Sequence, residues 1–184
     1  MAEAGQGCRH QAGVTGAADF FNSCNDLQGM ELAMTSGLTL KTATNTIGEG
    51  YAFEGAPRTI TDAHFLFFTG LTGDMGRSHV DADYAKRTSL GAPSAHGLLI
   101  NSLTALGAAL RDKPDGFVFV EQGCKFLKPV VSGDTMTPKF EVERIWQEGH
   151  RLFCRIKTRV QNQRGDIVLE GFHLYRIIPP KPAA

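Results

Sequence analysis

The stretch Gly73-Asp74-Met75-Gly76-Arg77-Ser78-His79-Val80-Asp81 gathers a carboxylate, an imidazole and a guanidinium. A carboxylate and an imidazole sharing one water can remove a proton from it and return one elsewhere, which is general acid–base work. An ordinary solvated loop has the same composition, so its surroundings decide. A second imidazole followed by glycine, His96-Gly97, opens a long apolar segment downstream. Free N–H groups at a helix start favour developing negative charge. Asp74 and His79 facing such an end would supply base, acid and anion site together. Arg77 carries the planar fork that suits a carboxylate or a phosphate.

The elements that must hold this loop are legible from periodicity. Thr61 can cap a helix over residues 62–70, and Asp62 favours its positive end. Ala63, Phe65, Leu66 and Phe67 are too dense for a surface helix, which predicts that much of it is buried. A loop over residues 72–93 follows, with a helical turn at 82–87 that Asp81 and Asp83 are placed to cap. Residues 96–111 have helical length, and Leu98, Leu99, Ile100, Leu103, Leu106 and Leu110 cover most of the circumference. That predicts one helix wrapped by other structure. Asn101 and Thr104 are expected to share a narrow face with Ala105 and Ala108, lining a cavity or meeting a second subunit.

Before the helices, residues 47–60 read as one or two short strands. From residue 117 the period is two. Residues 117–130, 135–146, 152–161 and 167–178 read as strands, separated by Gly133-Asp134, Glu148-Gly149 and Arg164-Gly165-Asp166. In the third, Leu152, Cys154, Ile156, Thr158 and Val160 alternate with Phe153, Arg155, Lys157 and Arg159, so one face is wet. Four hairpin-linked strands and a buried helix argue an α+β domain, a long antiparallel sheet wrapped around a central helix.

With 184 residues, 42% of them hydrophobic, the chain can bury one core but not two. Residues 1–37 read as a poorly ordered leader and 38–184 as the domain; Met30 or Met34 is expected as the native start, which intact mass of the native protein checks. Lysine plus arginine and aspartate plus glutamate both number 19, which argues against nucleic acid or an anionic membrane as partner. A near-neutral surface is consistent with an obligate oligomer. No apolar run reaches the roughly 18–20 residues of a membrane span, and no secretion signal opens the sequence; a soluble cytoplasmic protein is expected. Cys8, Cys24, Cys124 and Cys154 have no metal-ligand spacing, and the last two read as small buried residues. His64 is expected against the sheet, His150 in a turn and His173 in a structural role beside Tyr175. His96 is expected to position the helix start, and Lys128 to be within reach of a nucleotide phosphate.

Four ordered segments resemble the MaoC-like hydratase family. They are Thr72-Gly73-Asp74-x4-His79-Val80-Asp81-x2-Tyr84-Ala85; Gly91-x-Pro93-x2-His96-Gly97-Leu98-Leu99; Arg58-Thr59-Ile60-Thr61-x-Ala63; and Phe126-x-Lys128-Pro129-Val130-x2-Gly133-Asp134-Thr135. The resemblance spans residues 45–178 and implies a hot-dog fold, usually a homodimer, acting on acyl thioesters of coenzyme A or acyl carrier protein. It implies reversible addition of water across the C2–C3 double bond of an enoyl thioester. Asp74 and His79 would activate water and the Gly97 N–H would polarise the thioester carbonyl. No metal or cofactor is implied beyond coenzyme A as part of the substrate. Arg77, Gly76, His96, Ser102 and Ala105 are expected to meet the substrate. Two departures stand out: Gly76-Arg77 replaces the family's common Asn-Pro, and Ala105 occupies the position of a common serine, with Ser102 a turn earlier. A hot-dog thioesterase and a non-catalytic acyl-binding subunit remain the alternatives.

Overall fold

A computed structural model describes residues 37–42, 45–110 and 116–178; the leader expected over 1–37 lies almost wholly outside them. Short strands come first: β1 (Leu40–Lys41), β2 (Thr46–Ile47), β3 (Ala52–Glu54) and β4 (Arg58–Thr59). Five helical segments follow: α1 (Asp62–Thr72), α2 (Arg77–Val80), α3 (Ala82–Lys86), α4 (Gly97–Ser102) and α5 (Leu106–Ala109). Four long strands complete the domain: β5 (Phe117–Phe126), β6 (Thr135–Glu148), β7 (Arg151–Asn162) and β8 (Ile167–Ile177).

The main sheet is antiparallel in the order β3-β6-β7-β8-β5, with β4 also on β6, while β1 and β2 form a separate ribbon. The alternation read for the third long strand holds: Leu152, Cys154, Ile156, Thr158 and Val160 are buried, their neighbours less so. Register shifts at Val142/Arg144 between β6 and β7 and at Phe119/Glu121 between β5 and β8 are bulges of the kind that bend a sheet. Gly171 in β8 is needed where the strands close up, because a Cβ there would meet the Gly123 carbonyl of β5.

The helical layer packs on the inner sheet face. Leu99 and Ile100 share a core with Ile60, Phe65, Met136, Val160 and Leu169; Leu106 and Leu110 share another with Phe140, Ile156 and Tyr175. Each such side chain contributes about 1.5–3 kcal/mol when fully buried. That anchoring fixes the start of α4 relative to the loop before it. Cys154 is fully buried, and burial pushes its thiol up to about 12; Cys124 is only partly buried.

Several expectations fail. The central segment is not one helix over 96–111: α4 stops at Ser102, Ala105 takes an extended ψ of 113°, and α5 restarts at Leu106. At the break the Thr104 hydroxyl donates back to the Asn101 carbonyl at 2.7 Å, a local bond of the kind that competes with the helix ladder. Nor is the segment wrapped all round. Leu98 is 62% exposed, and Asn101 and Thr104 turn into the core, away from exposed Ala105 and Ala108. Finally, α1 buries only Phe65 and Thr69; Leu66, Phe67 and Leu71 are open in a single copy. His64 does not pack on the sheet but closes the start of α1, where its Nδ1 accepts from the Thr61 N–H at 3.1 Å. Among the described residues no helix is long and apolar enough to cross a membrane.

Candidate active site

Gly73 ends α1 in the left-handed region at φ +76° and returns its N–H to Thr69. The chain then swings out of the helix axis, a turn that costs a glycine little. Asp74 follows at once, and its Oδ1 accepts from the Gly76 N–H at 3.1 Å. The single turn of α2 carries His79, whose Nδ1 lies 2.7 Å from the Ser94 carbonyl. A carbonyl only accepts, so Nδ1 carries the hydrogen and Nε2 keeps a bare lone pair. Between the two groups stands Gly76. A Cβ there would sit 3.2 Å from Asp74 Oδ1 and 3.7 Å from His79 Nε2. The carboxylate and the basic nitrogen therefore flank one small space, which a side chain at Gly76 would invade.

His96 lies behind the pair and is 3% exposed. Its ring stacks on that of His79, centroids 4.0 Å apart and planes 27° apart, and tilts against Phe68 at 5.1 Å. Its Nε2 is 3.1 Å from the Asp74 carbonyl and 3.4 Å from the Thr69 hydroxyl, while its buried Nδ1 has no partner. Asp74, His79 and His96 each offer a ligand atom within 4.8 Å of the others. They do not make a convincing metal set. Stacked rings hold their lone pairs in nearly parallel planes, whereas an ion needs them to converge, and the His96 Nε2 is already committed to a carbonyl.

Gly97 is the first residue of α4, so its N–H has no partner within the helix. A Cβ at Gly97 would lie 3.0 Å from the Phe126 ring, so a larger residue there requires that ring to shift. Ser94, Gly97, Phe126, Lys128 and Pro129 line a groove of about 380 Å³.

The other expected site residues scatter. Arg77 Nη2 donates to Asp81 Oδ2 at 2.8 Å and its guanidinium covers the Tyr84 ring at 4.5 Å. Asp81, held below the usual carboxylate range by the Tyr84 N–H and by Arg77, also caps α3 as expected. Lys128 is paired with Asp166 at 2.6 Å. Ser102 and Ala105 line a depression of about 230 Å³ with Gly55, Arg58 and Pro138, whose walls include none of Asp74, His79 or Gly97. A depression of about 460 Å³ on the outer sheet face, around Phe172 and Arg155, also excludes them. Sequence reasoning missed Ser94 and Thr69. Ser94 acts through its backbone carbonyl, which leaves no side-chain signal, and Thr69 reads as one more residue of an apolar helix.

Residues 42–163 match the model of the MaoC like domain. The chain belongs to this family. A MaoC-like relative, the (R)-specific enoyl-CoA hydratase of Rhodospirillum rubrum, is 32% identical over 114 residues, covering 62% of this chain and 77% of the relative. The 3-hydroxybutyryl-CoA dehydratase of Methylorubrum extorquens is 29% identical over 127 residues, 69% of this chain and 78% of the relative. Among solved structures, the R-hydratase PhaJ1 of Pseudomonas aeruginosa superposes with a TM-score of 0.61 at 27% identity, covering 72% of this chain and 83% of that one. The α+β fold of the MaoC-like chain is thus the hot-dog fold expected from the sequence.

Proposed function

We propose that this protein adds water reversibly across the C2–C3 double bond of an enoyl thioester, with Asp74 and His79 handling the water. The observation that carries the reading is the small space flanked by Asp74 Oδ1 and the bare His79 Nε2. Water held there loses a proton to Nε2 as its oxygen bonds to C3, and as the π bond breaks the Asp74–His79 pair returns one proton to C2, leaving both groups as they began. Asp74 orients the water through its second hydrogen. Charge drifts onto the thioester oxygen during the addition, and the Gly97 N–H at the start of α4 is the donor we assign to it. Acid–base help of this kind is worth roughly 100- to 10,000-fold, and one oxyanion donor about 100- to 1,000-fold. Hydratase and dehydratase relatives support the reaction class. The carrier is coenzyme A or acyl carrier protein, and no metal takes part.

Exposed Leu66, Phe67, Leu71, Met75 and Leu98, on the helices and loop that carry the pair and Gly97, support a homodimer in which a second copy shields the site; sedimentation as a monomer contradicts that part. The reaction itself is tested with crotonyl-CoA and longer enoyl-CoA thioesters. Loss of enoyl absorbance without release of free thiol is the expected result. Free thiol released in step with the loss of absorbance would make the protein a thioesterase instead.

A further inference from the structure

We infer that His96 is a positioning residue that sets the Asp74 carboxylate against the His79 imidazole, an inference that rests on the hydration chemistry above. One ring touches both partners. Its Nε2 donates to the Asp74 carbonyl at 3.1 Å, and its face stacks on His79 at 4.0 Å. The carbonyl can only accept, so Nε2 must carry the hydrogen and Nδ1 is left as a bare lone pair. That nitrogen is buried and unpartnered, a state that lowers stability. Nor does the ring serve the helix it precedes, since it makes no capping bond to α4. An aromatic hydrocarbon would pack between Phe68 and His79 without the orphaned nitrogen. Packing alone therefore gives no reason for an imidazole here; what the ring adds is its Nε2–H, which meets the Asp74 carbonyl at 3.1 Å and, more weakly at 3.4 Å, the Thr69 hydroxyl. Its retention at a local cost is what a site that favours activity over stability shows.

Two variants separate the donor from the ring. His96→Phe keeps an aromatic face for His79 but cannot hold the Asp74 carbonyl; His96→Gln keeps an N–H donor and loses the stack. A displacement of about 1 Å can cost roughly 100-fold. In His96→Phe, kcat for crotonyl-CoA is expected to fall about that far, with KM changed less than about threefold and Tm equal to or above wild type. His96→Gln should recover about tenfold of the loss. Hydrogen exchange at the Gly76 amide, whose bond to Asp74 Oδ1 reports the loop, should quicken in His96→Phe and recover in His96→Gln, while α1 amides hold steady. Wild-type kcat in His96→Phe overturns the inference. So does kcat falling together with Tm in both variants, or a His96→Phe chain that does not fold, since packing would then explain the residue. A wild-type chain that hydrates no enoyl thioester sinks the hydration reading instead, and the Gly76 exchange then decides the positioning by itself.

Discussion

Two histidines sit within the same helical layer and sheet, and they are treated in opposite ways. His173 is 2% exposed and has a partner for each nitrogen. Thr104 spends its only hydrogen on the Asn101 carbonyl, so His173 Nε2 must donate to Thr104 at 3.1 Å, leaving Nδ1 to accept from the Tyr175 hydroxyl at 3.1 Å. Burial drives its pKa down to about 4. His79 is fixed on one side only. Its Nδ1 is tied to Ser94, and its Nε2 faces Asp74 across a space that a Cβ at Gly76 would narrow. A saturated imidazole specifies a fold, while a half-saturated one with room beside it can do chemistry.

The contrast breaks first at His79. His79→Ala should lower kcat/KM for crotonyl-CoA about 1,000-fold while Tm stays within a few degrees, measured by enoyl absorbance and thermal denaturation. His173→Leu should behave the other way, with turnover within about threefold. It strands Tyr175 and Thr104, a loss of about 1–3 kcal/mol that should lower Tm by about 5 °C. The pH dependence separates the two regions further. The unfolded chain protonates His173 below about pH 6.5, the folded chain only below about 4. Its stabilisation is therefore complete above pH 6.5 and declines as the pH falls towards 4, by roughly 3 kcal/mol in full. Denaturant titrations across that range should show the slope in wild type and lose it in His173→Leu. Between the regions in size comes Gly76→Ala, which crowds the space at Asp74 and should cost about tenfold in kcat with folding intact. Smallest is Arg77→Ala. Its surface pair with Asp81 is worth at most about 1 kcal/mol, so crotonyl-CoA and a mesaconyl-type thioester should each change by less than about twofold; loss confined to the carboxylated substrate would assign Arg77 to substrate recognition.

The long strands were legible because a half-buried sheet writes its period directly into the sequence, as Leu152 to Val160 show. Asp74, His79 and His96-Gly97 could be picked out as candidates as well, since acid–base work narrows the residue types that could carry it. The break at Ala105 was not legible, because apolar periodicity runs straight through it. The exposure of Leu66, Phe67 and Leu71 was hidden for a different reason. Apolar density says that a face avoids water, not whether its own chain covers it. Arg77 suits a substrate carboxylate by type, and the structure pairs it with Asp81 four residues on, a partner that the helical i,i+4 spacing delivers.

The account stands or falls on the Asp74 carboxylate. Asp74→Asn keeps the size and the backbone carbonyl held by His96 while removing the charge that orients water. Initial rates of crotonyl-CoA hydration, wild type beside Asp74→Asn at matched Tm, should differ by about 1,000-fold. Equal rates would show that the space between Asp74 and His79 is not where water is activated.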